Sequence, residues 1–447
     1  MTRAVEEPST QTARERAVAG CLADFAEFDR AAAREQPDWL VAARRDAIAR
    51  FGEQGFPTTK AEAWRFTSIA PIADEAMTRA PAVAAVDVGS DVVLDGAALV
   101  VLVNGRFAPD LSSTAHLPAG VLVASLKTAL QDGSTLVARH LTKVADLTQA
   151  FVALNTAFLE DGVIVAIAAD TVVATPIQLL FVSTGQPGPT SVSHPRVLVV
   201  AGEHSQAQIV ETYSGADGRR YFTNAVTEIV AEAGAVLDHY KMQQESPQAF
   251  HLGSMAVRAG RGSSVSSHSL ALGGQLVRND VVATMADEGA ECTLNGLYLA
   301  GGTTLVDNHT TIDHAMPHCQ SHELYKGILW DKARAVFNGK IIVRPDAQKT
   351  DAKQTNKALL LSDTAQINTK PELEIFADDV KCTHGAAIGQ LDEDALFYLR
   401  ARGIPPAEAR AMLIQAFAGD IIHRVKVPAL QARLERILLA RLPGDAP

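Results

Sequence analysis

A cysteine and a histidine stand two residues apart near the C-terminal end of the chain, at Cys382 and His384. Strand-like apolar runs precede them, at residues 338–343 and 373–376. Side chains at positions i and i+2 of a strand point to the same face. If residues 381–386 form a strand, a thiol and an imidazole therefore lie side by side. Both groups bind transition metals, so this pair is the first candidate for a functional site.

A second group of histidine and cysteine side chains precedes the pair. Its members are the weaker metal candidates His309, His314, His318, Cys319 and His322. Their spacing matches no strict metal motif, and the chain contains neither HExxH nor CxxC. His318 and His322 would share a face only on a helix. We therefore favour the interpretation that these side chains line one face of a repetitive β structure.

The composition is that of an ordinary globular protein, with 47% hydrophobic residues, 20% charged residues and a net charge of −11. The negative charge argues against binding to nucleic acid or to anionic membranes. No secretory signal and no run of 18 apolar residues is present, and the four cysteines are far apart. These features predict a cytoplasmic protein. The chain has no Walker A motif, no GxSxG motif and no complete dinucleotide-binding motif.

Short β-branched runs separated by small-residue turns dominate residues 156–390, which we interpret as an all-β core. The apolar residues that follow the turns are spaced by 28, 28, 27, 44 and 31 residues, in the order Ile209, Leu237, Val265, Cys292, Val336 and Ile367. We interpret the 44-residue interval, which contains the histidines, as an insertion. Near-constant spacing of β units is typical of a β-helix, although a β-sandwich also has regularly spaced turns.

Residues 1–155 are predicted to form a mainly helical N-terminal domain. Apolar residues at helical spacing predict helices over residues 14–34 and 38–51, with a stop at Gly52. Trp64 and Phe66 are expected to anchor this region to the rest of the protein. A strand and a tight turn are predicted where Asn104 and Gly105 follow five apolar residues.

Residues 391–447 are predicted to form a C-terminal helical domain. The first helix ends at Gly403, and the last runs over residues 428–442. A helical tail after a β-helix either caps its open end or binds a partner. The residues alone leave both alternatives open.

Six segments in the C-terminal third of the chain form a recognisable set, at residues 336–341, 349–351, 354–356, 368–375, 378–386 and 397–404. Together they resemble the SufB/SufD family of iron–sulfur cluster assembly proteins. The Lys-Cys-Thr-His-Gly-Ala sequence at 381–386 is of the SufD type. SufB-type members carry a sulfur-accepting cysteine where this chain has Thr355, whose hydroxyl does not undergo thiol exchange.

The resemblance implies a right-handed parallel β-helix between N- and C-terminal helical domains. It also implies a complex with a SufB-like paralogue, or a homodimer when the chain is isolated. Cys382 and His384 would there bind iron or a transient iron–sulfur cluster together with ligands from the partner. The chain would act as a non-catalytic scaffold that supports the passage of iron into the complex and cluster formation. A reduced flavin is associated with the complexes of the family.

The resemblance further implies that a SufC-like ABC-type ATPase docks on the C-terminal helices, so that ATP is bound only by this partner. The side chains expected to contact it are mostly apolar and lie in the C-terminal domain: Phe397, Tyr398, Ile404, Met412 and Phe417.

Two other functions are compatible with a β-helix. A cytoplasmic polysaccharide lyase would need a surface groove with clustered carboxylates and a basic residue. A purely structural subunit would hold the ATPase and the paralogue together without metal ligands, and it would tolerate replacement of Cys382 and His384.

Overall fold

The computed structural model describes residues 12–33, 36–74, 77–83 and 86–441. Helices lie on both sides of a long β region. Their bounds are α1 Ala13–Ala32, α2 Asp38–Gln54, α3 Ala70–Ala73, α4 Leu126–Gln131, α5 Thr135–His140, α6 Ala150–Ala157, α7 Glu393–Ala401, α8 Pro406–Ile422 and α9 Pro428–Arg441. Short 3-10 helices span Glu62–Trp64 and Pro109–Leu111.

The strands become long and regular after residue 205. Their bounds are β1 Met77–Arg79, β2 Ala98–Val103, β3 Arg106–Phe107, β4 Val121–Ser125, β5 Val163–Ile167, β6 Ile177–Ser183, β7 Thr190–Ser193, β8 Arg196–Ala201, β9 Gln206–Gly215, β10 Tyr221–Ala231, β11 Val236–Gln244, β12 Phe250–Ala259, β13 Ser264–Ala271, β14 Leu276–Met285, β15 Glu291–Ala300, β16 Leu305–His314, β17 Gln320–Leu329, β18 Arg334–Val343, β19 Asp351–Leu360, β20 Gln366–Ile375 and β21 Lys381–Gly389.

Two sheets run side by side through the β region. The larger sheet has 11 strands, with the main order β20-β18-β16-β14-β12-β10-β8-β5-β4 and with β1 and β7 off this path. The smaller sheet has 10 strands, in the order β21-β19-β17-β15-β13-β11-β9-β6-β2-β3. From β9 onward the chain alternates between the sheets and returns to each sheet parallel to the previous strand. This arrangement is a parallel β-helix, so the predicted fold class is confirmed. The β-sandwich alternative is wrong, because a sandwich is built from antiparallel strands.

The register between coils confirms the middle of the predicted repeat, from Leu237 to Cys292. Val265 lies opposite Leu237 on one side and opposite Cys292 on the other. Ile209 is two residues out of register, because Leu237 pairs with Ala207. Both positions face inward, since side chains of a strand alternate with a period of two residues.

The predicted insertion after Cys292 is wrong. Cys292 pairs with Ser321 on β17, which is 29 residues later, so the coil has the ordinary length. Val336 lies on β18, which belongs to the other sheet. The histidine-rich stretch is therefore a regular coil made of β16, a turn and β17.

Glycines make room for large inward-facing rings. Tyr325 pairs with Gly296, and Tyr298 pairs with Gly327, on the same two strands. A side chain added at either glycine would overlap the tyrosine ring opposite. The interior of the β-helix is therefore closely packed in this region.

The N-terminal helices pack against the outer face of the larger sheet. An aromatic cluster that includes Phe51 and Phe151 covers Phe222 and Phe250. α2 continues to Gln54, so the predicted stop at Gly52 is wrong; the cap is Gly55, whose φ of 65° favours glycine. The predicted end of the first helix at residue 34 lies outside the described residues.

Trp64 helps to anchor the segment that follows α2. The guanidinium carbon of Arg278 lies 3.7 Å from the ring centroid of Trp64. Thr67 donates a 2.6 Å hydrogen bond to Asp307. The expectation for Trp64 is confirmed. The expectation for Phe66 is wrong, because this side chain is 46% exposed.

The predicted strand and tight turn near residue 104 are confirmed, since β2 and β3 form an antiparallel hairpin. β2 and β4 precede residue 155 and nevertheless pair with strands of the two sheets. The division at residues 155 and 390 stays a prediction.

The C-terminal helices cover the outer face of the smaller sheet. Ile414, Ile421 and Leu430 pack against side chains of this sheet, and Lys326 binds Asp420 on α8. The helices lie on the flank and leave β21 exposed, so the capping alternative is wrong. The predicted helix end at residue 442 lies outside the described residues. In the described part of the chain, no helix is long and apolar enough to cross a membrane.

Candidate functional site

The terminal coil of the β-helix is formed by β20 and β21, which end the order of their respective sheets. β20 pairs with β18 and β21 pairs with β19, and among the described residues no strand covers their other edges. Inward-facing residues of β19 are buried, whereas nearly all of β21 is exposed. The coil is therefore open, and its inner side chains reach solvent.

Cys382 is the first inward-facing residue of β21. It pairs with the fully buried Ala352 and packs near Leu373 and Ala377. The side chain is half-buried, and this burial raises the pKa of the thiol; the charge of Asp351 raises it further. The thiol is therefore protonated at neutral pH, and a metal that binds here must displace the proton.

His384 is the next inward-facing residue of the same strand. It pairs with Gln354 and is exposed. Because residues two apart on a strand share a face, the imidazole and the thiol of Cys382 lie on one side of β21. The predicted strand over residues 381–386 is confirmed.

A buried carboxyl group that the sequence interpretation missed lies behind His384. Glu323, Gln354 and His384 are successive partners across three coils. Gln354 Nε2 donates a 2.8 Å hydrogen bond to Glu323 Oε2. Burial raises the pKa of Glu323 to about 7. The alternation of Ser321, Glu323 and Tyr325 would have placed this carboxyl group inside, had the stretch not been interpreted as an insertion.

The weaker metal candidates do not converge. His309 lies on the outer face of β16 and binds Asp307, with 3.0 Å between Nε2 and Oδ1. His314 faces inward, with its Nε2 2.9 Å from Ser321 Oγ. Burial lowers the pKa of His314 to about 4, so its imidazole is neutral at pH 7.

The remaining three candidates lie in or just after the turn between β16 and β17. His318 occupies the turn with a positive φ of 60°. Cys319 is buried, and its thiol donates to the carbonyl oxygen of Asp287 at 3.4 Å. His322 is exposed on the outer face of β17. Across residues 12–441, apart from the short gaps, no three His, Cys, Asp or Glu side chains are placed to hold a metal ion.

The predicted partner-binding side chains differ in exposure. Phe397 and Tyr398 on α7 are 72% and 58% exposed. Met412 on α8 is exposed and lines a cavity of ≈ 380 Å³ between α8 and α9. The exposed Leu439 of α9 lines the same cavity and was missed.

The other two predicted contact residues are half-buried. Ile404 lies in the turn between α7 and α8. Phe417 faces the β-helix, and its ring centroid lies 4.5 Å from Nζ of Lys326. Phe417 therefore helps to hold α8 on the sheet.

Comparison with known proteins decides the family. The SufBD core domain of the SUF system for FeS cluster assembly matches residues 181–417, and the SufBD protein N-terminal region matches residues 21–179. The chain belongs to the SufB/SufD family. The resemblance of the C-terminal segments is thereby confirmed.

Curated members of the family match along most of the chain. An iron–sulfur cluster assembly SufBD family protein of Synechocystis sp. is 35% identical over 90% of this chain and 91% of its own length. The iron–sulfur cluster assembly protein SufD of Escherichia coli is 31% identical over 88% of this chain and 90% of its own length. The iron–sulfur cluster assembly protein SufD of Bacillus subtilis is 26% identical over 90% of this chain and 94% of its own length. The chain is therefore similar to SufD over nearly its whole length, and its family supports a role in the Suf system.

Proposed function

We propose that this chain is a non-catalytic scaffold subunit of the Suf iron–sulfur cluster assembly complex. It supports the passage of iron into the complex and cluster formation at an interface with a SufB-like paralogue. The observation that carries the proposal is the open terminal coil, which presents Cys382 and His384 on one face at an unpaired sheet edge.

The site is half of a metal centre. A thiolate and an imidazole suit iron and iron–sulfur clusters, but two ligands do not complete four-coordinate iron. A second chain that lies against β20 and β21 would supply the missing ligands and bury the exposed edges. The cluster is the cargo of such a site, and ligands divided between two chains would favour its later release.

The sulfur for the cluster must come from another chain in this proposal. Thr355, which follows Gln354 on β19, stands where SufB-type members carry the sulfur-accepting cysteine. A hydroxyl group cannot form a persulfide. This chain therefore contributes to iron binding, and the SufB-like partner contributes the sulfur.

The ATPase docks on the C-terminal helices in this proposal. Phe397 and Tyr398 are large, exposed side chains on α7, and the cavity beside Met412 and Leu439 offers an apolar groove. Exposed aromatic residues of this kind are enriched in protein interfaces. The partner alone binds ATP, and the reduced flavin of such complexes supplies electrons without an assigned residue in this chain.

The isolated chain is expected to form a homodimer through the same open end, because an unpaired strand edge pairs readily with a second copy. The SufB-like paralogue would replace the second copy in the complex. The protein would work in the cytoplasm, where its thiols stay reduced.

The test uses the chain copurified with its SufB-like and SufC-like partners. The complex is reconstituted anaerobically with Fe²⁺ and sulfide, and its absorption spectrum and its iron and sulfide contents are measured. The His384→Ala variant is expected to lower both contents by about tenfold, since loss of a ligand weakens metal binding at least as much as loss of an outer hydrogen bond. Cys382→Ser should have a similar effect.

Matched controls separate the site from general damage. His322→Ala removes an exposed imidazole from the outer face of β17, and Cys21→Ser removes a half-buried thiol from α1. Both should assemble normal clusters. If the double Cys382→Ser, His384→Ala variant also assembles normal clusters, the chain is a purely structural subunit. The lyase alternative has no support from the family of the chain, and activity of the isolated chain on polyuronates would be needed to restore it.

A further inference from the structure

Three buried oxygen atoms without a hydrogen-bond partner lie inside the two coils that precede the terminal coil. They are Glu323 Oε1, Gln354 Oε1 and Asn356 Oδ1. The three side chains are 3%, 1% and 1% exposed. Buried polar atoms are almost always satisfied, so each exception calls for a bound water, an ion or a functional reason.

The register of the strands brings the three side chains together. Glu323 on β17 pairs with Gln354 on β19, and Asn356 is the next inward-facing residue of β19. The amide of Gln354 enters the space that Gly339 leaves on the opposite sheet, where a Cβ would collide with it. The three oxygens therefore come from neighbouring inward-facing positions of two coils, and Gly339 leaves the space that the Gln354 amide occupies.

The nitrogen atoms of the two amides are already committed elsewhere. Gln354 Nε2 donates to Glu323 Oε2, and Asn356 Nδ2 donates a 3.0 Å hydrogen bond to Thr369 Oγ1. These bonds fix the orientation of both amides, so their oxygens are the atoms that remain for a ligand. Apart from the Thr310 hydroxyl beside Glu323, the cluster offers acceptors, which suits a cation and does not suit an anion.

The negative charge of an ionised Glu323 carboxylate has no counter-charge nearby. Within the described ranges, no Lys, Arg or His side chain is within ion-pair distance of Glu323. Its raised pKa follows from burial without a counter-charge. A bound cation would supply that charge and keep the carboxylate ionised at neutral pH.

We propose that Glu323, Gln354 and Asn356 form an oxygen-lined site for a divalent cation, in the two coils next to the terminal coil that carries Cys382 and His384. A carboxylate and two amide carbonyl oxygens suit hard divalent cations such as Mn²⁺, with water completing the coordination. A site that holds Mn²⁺ through such ligands holds Fe²⁺ at least as tightly, because affinity rises from Mn²⁺ to Fe²⁺ across this series.

The open coil gives the cation a way in. Thr369, which accepts from Asn356, lines a cavity of ≈ 460 Å³ that extends from the half-exposed Ile388 of β21 to residues 62–67 beside the outer face of β16, β18 and β20. If the proposed function holds, the oxygen site retains Fe²⁺ before it passes to Cys382 and His384. That role rests on the proposed function, whereas binding of the cation does not.

Mn²⁺ is the probe, because the free ion gives a sharp electron paramagnetic resonance signal that is lost on binding. The isolated full-length chain, freed of metal by a chelator, is titrated with Mn²⁺ at pH 8. We expect one tight site in the wild type and at least a tenfold weaker site in Glu323→Gln. Glu291→Gln, which changes an exposed glutamate at the start of β15, should leave binding unchanged.

Further variants separate this site from the proposed cluster ligands. The double Cys382→Ser, His384→Ala variant should bind Mn²⁺ as the wild type does, because its changes lie one coil further out. Gln354→Met should weaken binding, which provides a second test if Glu323→Gln folds poorly by circular dichroism. Absence of a tight site in the wild type would mean that only water satisfies these oxygens. Unchanged binding in Glu323→Gln would also overturn the inference, and neither result would affect the test of cluster formation.

Discussion

Glu323→Gln should change the pH dependence of stability in a direction opposite to that of an ordinary carboxylate. The pKa of Glu323 rises from 4.5 to about 7 in the folded chain. Between these two values the unfolded chain loses the proton while the folded chain keeps it. The folded state therefore binds more protons, and its stability falls as the pH rises from about 4.5 to about 7. A carboxylate with a lowered pKa would instead become more stabilising as the pH rises, and would do so below about 4.5.

The size of the effect follows from the shift. A rise of about 2.5 pKa units is worth about 3 kcal/mol, at 1.36 kcal/mol per unit. The free energy of unfolding of wild type relative to Glu323→Gln should therefore fall by about 3 kcal/mol between pH 4 and pH 8. Glutamine retains the shape of the side chain and an oxygen for the Gln354 amide, so other contributions largely cancel in the difference.

Urea unfolding of both variants at half-unit steps from pH 4 to pH 8, with a chelator present, measures this difference. Glu291→Gln serves as the control, because it makes the same substitution at an exposed position. A wild-type-minus-Glu323→Gln difference that stays constant from pH 4 to pH 8 would show that Glu323 is not a buried, uncompensated acid. Saturating Mn²⁺ at pH 8 should restore stability to the wild type and not to Glu323→Gln.

Two further predictions concern the interior of the β-helix. Burial alone would raise the pKa of Glu211, but hydrogen bonds with His239, Tyr213 and Thr227 lower it to about 2. Glu211→Gln should therefore lower the free energy of unfolding at pH 7, measured in urea, by about 3 kcal/mol, because the folded chain stabilises the ionised carboxylate. The loss should shrink as the pH falls toward 2, and a loss that does not change with pH would contradict the assignment. Gly296→Ala should cost about 2 kcal/mol or more, because its methyl group would overlap the ring of Tyr325. The control is Gly385→Ala, which should change stability little because the space around its Cβ position is open. Gly262→Ala would not serve as the control, since the positive φ of Gly262 strains any other residue.

The mispredicted insertion shows where sequence reasoning about this fold reaches its limit. Coils between partners on the smaller sheet are 27, 29, 31 and 30 residues long from Val265 to Cys382. The turns absorb these differences in length, because the paired residues Cys292, Ser321 and Ala352 are all buried, so spacing alone does not reveal which side chains face inward. The predicted repeat followed residues of the smaller sheet up to Cys292 and residues of the larger sheet from Val336. It therefore passed over β17, and the inward position of Glu323 was overlooked.

The sequence by itself determined the β-helix class, the family and the shared face of Cys382 and His384. These features depend on local information, namely the near-constant spacing of turns, a set of short motifs and the two-residue period of a strand. Only the tertiary structure decided which side chains meet across coils. It separated the histidines of β16 and β17, turned Phe417 toward the sheet, left Phe66 exposed, and placed Glu323 behind the open site. The physical reason is that burial and pairing depend on contacts between residues about 30 positions apart, and these contacts are set by the register of the stacked coils.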